Sequence, residues 1–149
     1  MTSPRLSFTQ CIAAYGVAFV ALSVLDAIWL GWLARDFYQH ELGSLMADSV
    51  RIVPAALYYL LYPAAIVYLA LTPAPERLRE GVMRSAVLGL AAFGVYDLTN
   101  LATLHGYSVT LAIVDMAWGT FATALGGGVA YAIVVARRRR PSGPARNAP

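Results

Sequence analysis

The stretch "FTQCIAAYGVAFVALSVLDAIWLGWLA", residues 8–34, contains one charged side chain, Asp26. About 20 mostly apolar residues suffice to cross the hydrocarbon core of a bilayer as a helix. A secretory signal core runs only about 7–15 residues, so this segment reads as a retained membrane span. Segments 52–71, 85–104 and 109–136 have the same character. Only 13% of the chain is charged, against about 25% in a soluble domain. These features predict an all-α, integral membrane four-helix bundle with antiparallel up-down topology. Residues 1–140 form one transmembrane domain, and 141–149, "PSGPARNAP", read as a disordered cytoplasmic tail. With no separate soluble domain, any chemistry has to sit in the bilayer or at its surface.

The connections follow from the punctuation between spans. "RDFYQHELGSLMADSVR", residues 35–51, repeats Tyr38, Leu42 and Leu45 at helical spacing, which predicts a short interfacial helix between spans 1 and 2. Pro73 and Pro75 stop the second span. "HGYS", 105–108, is a tight link that makes spans 3 and 4 an antiparallel pair. Cys11 is the only cysteine, so no intrachain disulfide is available, and a packing role is expected for it.

Every basic residue other than the two histidines is arginine, and their placement sets orientation. Arg5, Arg77, Arg79, Arg84, Arg137 to Arg140 and Arg146 fall on one side, and Arg35 and Arg51 on the other. The positive-inside rule then places both termini in the cytoplasm. The Arg137–Arg140 run directly follows an apolar span and reads as a stop-and-orient signal, not as a nucleic-acid patch.

Asp26 is not alone. Asp97 lies in the third span and Asp115 in the fourth, the latter in "IVDMAWGT", which repeats the Asp-x-x-Trp spacing of Asp26 and Trp29. At 1.5 Å per residue, the three lie roughly 12, 10 and 9 Å from span ends that alternating direction brings to one side. They share a layer in the non-cytoplasmic half. An acid at a span's centre costs roughly 2.5–3.5 kcal/mol on insertion scales, so the three should face one another or a wet pocket. No arginine, lysine or histidine lies within the four segments to neutralise them. Few identities accompany the repeated spacing, so convergence on one cavity is a better account of it than duplication.

Candidate partners are Asn100, one turn from Asp97, and Tyr58, Tyr59 and Tyr62 of the second span, where Pro63 frees a carbonyl. Trp29 and Trp118 lie deep enough to wall a pocket, whereas Trp32 fits an interfacial belt. The expected ligand-binding set is Asp26, Trp29, Tyr59, Tyr62, Asp97, Asn100, Asp115 and Trp118. His105 could join the acids around a cation, but the spacing matches no metal motif, and neither metal nor cofactor is expected. Ala122, Gly126 and Ala130, and Ala124, Gly128 and Ala132, form two small-residue stripes on the fourth span. One suits a contact within the chain and the other a homodimer.

At "LDAIWLG", "DFY", "YDLTNLATL" and "VDMAWGT" the chain resembles domain of unknown function 2177, a family of small bacterial membrane proteins. The resemblance runs over residues 8–136. It implies a four-helix bacterial inner-membrane protein and carries no established activity, so no catalytic residue follows from it. The residues themselves point to an intramembrane acidic pocket that binds or transports a cation, proton or small polar molecule. The rival readings are a membrane-embedded enzyme using carboxylate acid/base chemistry on a lipid or isoprenoid, and a structural or assembly partner whose polar layer only specifies packing.

Overall fold

The computed structural model describes residues 5–136. The Arg137–Arg140 run and the 141–149 tail, on which the stop signal and disordered-tail readings rest, lie outside the described residues. All regular structure among those described is helical. Four helices are long and apolar enough to span a membrane: α1 (Phe8–Leu33), α3 (Ile52–Ala70), α4 (Leu78–Thr103) and α5 (Val109–Val135). A short helix, α2 (Arg35–Leu42), lies between the first two.

Local chemistry accounts for the helix ends. Ser7 caps α1 through a capping box, its hydroxyl accepting from the Gln10 amide while the Gln10 side chain accepts from the Ser7 amide. Ser108 caps α5 by accepting from the Leu111 amide. Gly106 has a φ of 81°, the left-handed conformation that a glycine adopts without a Cβ clash, and it turns the chain from α4 into α5. The last turns of α1, α3 and α5 widen to π-type hydrogen bonding over Trp29–Leu33, Ile66–Ala70 and Tyr131–Val135. Pro63 sits inside α3, and the widening follows three residues later.

Two boundaries differ from the sequence reading. The third span begins at Leu78, seven residues before 85. Its charged first turns are held by a pair one turn apart: Arg84 donates to Glu80 at 2.5 Å and also to the Pro73 carbonyl at 2.9 Å. Arg79, Glu80 and Arg84 therefore extend the helix beyond its apolar part instead of ending it. Between spans 1 and 2, α2 stops at Leu42 because Gly43 leaves helical geometry (φ 48°). Leu45 then falls in a single 3-10 turn and is exposed, so it does not share the inner face of α2.

α5 is the centre of the bundle. Half of its most apolar window is buried, against about a fifth for each of the other spans, whose outer faces carry exposed residues such as Val20, Leu61 and Val87. That distribution suits a bundle in lipid, where apolar side chains lose nothing by facing outward. Close approach is made by small residues. A Cβ at Gly89 would meet the Gly119 carbonyl at 2.7 Å, and one at Gly128 would meet Val82 at 2.9 Å. With Gly94 against Met116, these contacts run α4 and α5 antiparallel.

The first stripe of α5 is wholly internal: Ala122, Gly126 and Ala130 are buried, and Gly126 faces Leu22 of α1. The second is divided. Gly128 packs on Val82 of the same chain, while Ala132 is exposed beside an apolar groove of about 400 Å³ that runs between α4 and α5.

Candidate functional site

Each acid sits at the end of an inward-facing ridge with a four-residue step. On α1 the buried residues are Ala14, Ala18, Leu22 and Asp26. On α4 they are Gly81, Ser85 and Gly89 at that step, then Gly94 and, three residues on, Asp97. Asp115 is one turn before buried Gly119 on α5. A residue four positions on from a packed one stays on the same helix face. Asp26 and Asp97 are accordingly 5% and 0% exposed, so neither faces lipid.

The donors come from four different elements. Asp26 accepts from the Tyr59 hydroxyl of α3 at 3.2 Å and from the Trp118 indole of α5 at 3.1 Å, which occupies both of its oxygens. Asp115 accepts from the hydroxyl of Tyr38 on α2. The Tyr38 oxygen in turn accepts from the Trp29 indole at 3.3 Å. Trp29 and Trp118 are stacked, their ring centroids 4.3 Å apart and their planes within 6°. Asp26 and Asp115 are thus joined by a continuous aromatic and hydrogen-bonded wall. Asp97 accepts from the Tyr107 hydroxyl at 2.6 Å. Asp115 stands close enough to both other acids for its charge to act on each.

Two phenols outside the spans are firm donors. Burial, and then the Asp115 carboxylate, push the Tyr38 phenol well above its ordinary range. Burial, and then Asp97, do the same to Tyr107, with Asn100 opposing through a side-chain hydrogen bond. Both hydroxyls therefore keep their protons, and both point them at carboxyl oxygens.

α2 covers this end of the bundle. Phe37, Tyr38, Glu41 and Leu42 are its half-buried residues, and Phe37, Tyr38 and Leu42 pack on Tyr107, Leu111 and Ala112. Glu41 accepts from the Ser108 hydroxyl that also caps α5. That bond, foremost, holds the Glu41 carboxyl below its ordinary value. A depressed carboxyl stabilises its contact above the unfolded value and loses that contribution as pH falls through the folded one. The latch is an alkaline-side and neutral-pH feature that acid loosens.

The remaining expected residues fall at different distances from this centre. Asn100 reaches Tyr107 and so joins the Asp97 side. Tyr62 does not meet an acid; its hydroxyl pairs with Thr123 at 2.8 Å, and its ring meets Phe93 edge-on. Tyr58 stacks on Tyr62 and lies edge-on to Tyr59. Tyr38 and Tyr107 are the two donors the sequence reading did not assign. Tyr38 had a signal, its place on the inner face of the interfacial helix. Tyr107 had only its position in the link after Asp97. The groove of about 780 Å³ between α1 and α5 is lined by apolar residues from Ala13 to Leu25 and by Leu125, Val129 and Ile133, with no acid among them. Among the described residues no cluster of three or more histidine, cysteine, aspartate or glutamate side chains could hold a metal ion.

The profile of a family described as "Predicted membrane protein (DUF2177)" matches residues 11–132. The chain belongs to the DUF2177 family. It is a multi-pass membrane protein of the bilayer, and the family match takes in all three acids, α2 and both tryptophans of the stacked pair. No curated protein and no solved structure matches the chain.

Proposed function

We propose that this DUF2177 protein is a bacterial inner-membrane protein whose acidic layer binds or transports a cation, proton or small polar molecule. One observation carries the reading: among the described residues the three span carboxylates accept from neutral phenol and indole donors, and no arginine, lysine or histidine lies within residues 8–34, 52–71, 85–104 or 109–136. Neutral donors orient a carboxylate but do not cancel its charge, so the layer keeps a demand for positive charge. The ligand set proposed is Asp26, Trp29, Tyr59, Asp97, Asn100, Asp115 and Trp118 with Tyr38 and Tyr107, and with Tyr62 behind it. Four helices enclose little volume, so transport calls for a second copy of the chain. The test is native mass spectrometry of gently purified protein, followed by uptake of the recovered ligand in proteoliposomes. A bound ion or small molecule that is taken up supports the reading. Protein that is ligand-free and inactive with every cation and polar solute offered overturns it.

A structural reading has one observation in its favour. Asp26 has both oxygens occupied and ties α1, α3 and α5 together, as polar glue between helices does at about 0.6–1.7 kcal/mol per bond.

Sidedness follows from the arginine distribution: both termini are cytoplasmic, and α2 covers the acids from the periplasm. A fluorescent reporter that matures only in the cytoplasm should light up when fused after Pro149. An active periplasmic phosphatase at the same fusion point would reverse the orientation.

A further inference from the structure

The three acids are not equivalent. Asp26 has both oxygens satisfied. Asp97 has one: Oδ1 accepts from Tyr107, whereas Oδ2 is the buried side-chain polar atom among the described residues that lacks a hydrogen-bond partner. Asp97 is also 0% exposed. A carboxylate oxygen left this way forfeits hydration without replacing it. Among the described residues, the groups that act on it include no cation. Tyr107 faces it from the link, Asp115 acts on it from α5, and Asp97 is in turn felt by Tyr38 of α2 and by Tyr96 on its own helix. Asn100 lies one turn on, toward Tyr107. The register that sets Gly94 against Met116 brings Asp97, three residues further along an antiparallel pair, beside the 112–115 turn that carries Asp115.

Resting on the reading of this layer as the working site, the geometry points to one exchangeable proton held by Asp97 at Oδ2 and passed between it and Asp115. Two properties select a proton over other positive ligands. A fully buried side chain admits an occupant that needs almost no volume. Hard metal cations, by contrast, gather about six or more oxygen ligands, whereas a proton needs a carboxyl oxygen and one acceptor. Asp97 then alternates between a neutral acid, with the proton on Oδ2, and a carboxylate, the proton having moved to Asp115 or to water. Tyr107 keeps its own proton throughout, donating a hydrogen bond to Oδ1, and acts as a positioning residue. Asp26, with no free oxygen, takes no part.

Infrared difference spectroscopy of the reconstituted protein, stepped between acid and alkaline buffer, reads this directly. A buried carboxyl C=O band should appear on acidification and vanish in Asp97→Asn. Asp115→Asn should shift the pH at which it appears. Tyr107→Phe keeps every carboxyl group and removes the bond to Oδ1, so the band should remain but change frequency. That variant carries the test if Asp97→Asn does not fold. A band unchanged in Asp97→Asn, a frequency untouched by Tyr107→Phe, or a spectrum that answers to sodium or potassium but not to pH would each overturn the proposal. Failed uptake in proteoliposomes with a normal band would remove the transport reading and leave the proton site standing.

Discussion

Gly127→Leu should stop α4 and α5 from closing and leave no monodisperse protein in detergent. A Cβ at Gly127 would lie 2.0 Å from the Ser85 hydroxyl, 2.7 Å from the Ser85 Cβ and 3.4 Å from Ile66. The hydroxyl can rotate away; the Cβ is fixed to the α4 backbone, so the two helices have to separate. Overpacking a core by a few methylenes costs about 1–3 kcal/mol and at times more, and leucine adds several at a level where a single Cβ already collides. Even Gly127→Ala should lower the melting temperature. That sign is informative, because alanine is favoured over glycine in a free helix by about 0.8–1.0 kcal/mol. Ser85→Gly should partly restore Gly127→Ala by removing the opposing Cβ. Thermal unfolding in detergent checks all three variants. A Gly127→Ala protein as stable as the parent would mean that α4 and α5 do not meet at this level.

Asp97→Asn should stay folded and membrane-inserted yet lose ligand binding and fail to complement a deletion phenotype. The amide keeps the shape of the side chain and an acceptor for the Tyr107 hydroxyl. It lacks both the negative charge and the exchangeable proton that a working site needs. Glue between helices would tolerate the change. Asp26→Asn is the contrasting case. The amide oxygen can still accept from the Trp118 indole while the amide nitrogen donates to the Tyr59 hydroxyl, reversing that bond, so stability should fall by less than the roughly 0.6–1.7 kcal/mol of one interhelical bond. Thermal stability and complementation are measured together on both variants. An Asp97→Asn protein with normal stability and full complementation would favour the packing role.

The amino-acid sequence by itself determined the fold class. Span length and the scarcity of charge decide it, because a bilayer accepts only segments that satisfy their own backbone and bury few charges. It also gave the expectation that Asp26, Asp97 and Asp115 lie at matched depth, argued from rise per residue and alternating direction. The ridge Ala14, Ala18, Leu22 and Asp26 was equally open to reading, as was Gly81, Ser85, Gly89 and Asp97. The first keeps the four-residue step that gives away the inner face of a helix throughout, and the second keeps it as far as Gly89. What only the tertiary structure decided is which donor meets which acid. Tyr62 is one turn from Tyr58 and three residues from Tyr59, yet it meets Thr123 while Tyr59 reaches Asp26. The fold of α2 brings Tyr38 to Asp115 across 77 residues of chain. Tyr107 closes on Asp97 because the turn at Gly106 folds the link back over the helix end. Such pairings depend on helix rotation and on how closely small residues let the backbones approach. Neither is carried by the periodicity of a single segment, because each is settled by the shape of the neighbouring helix.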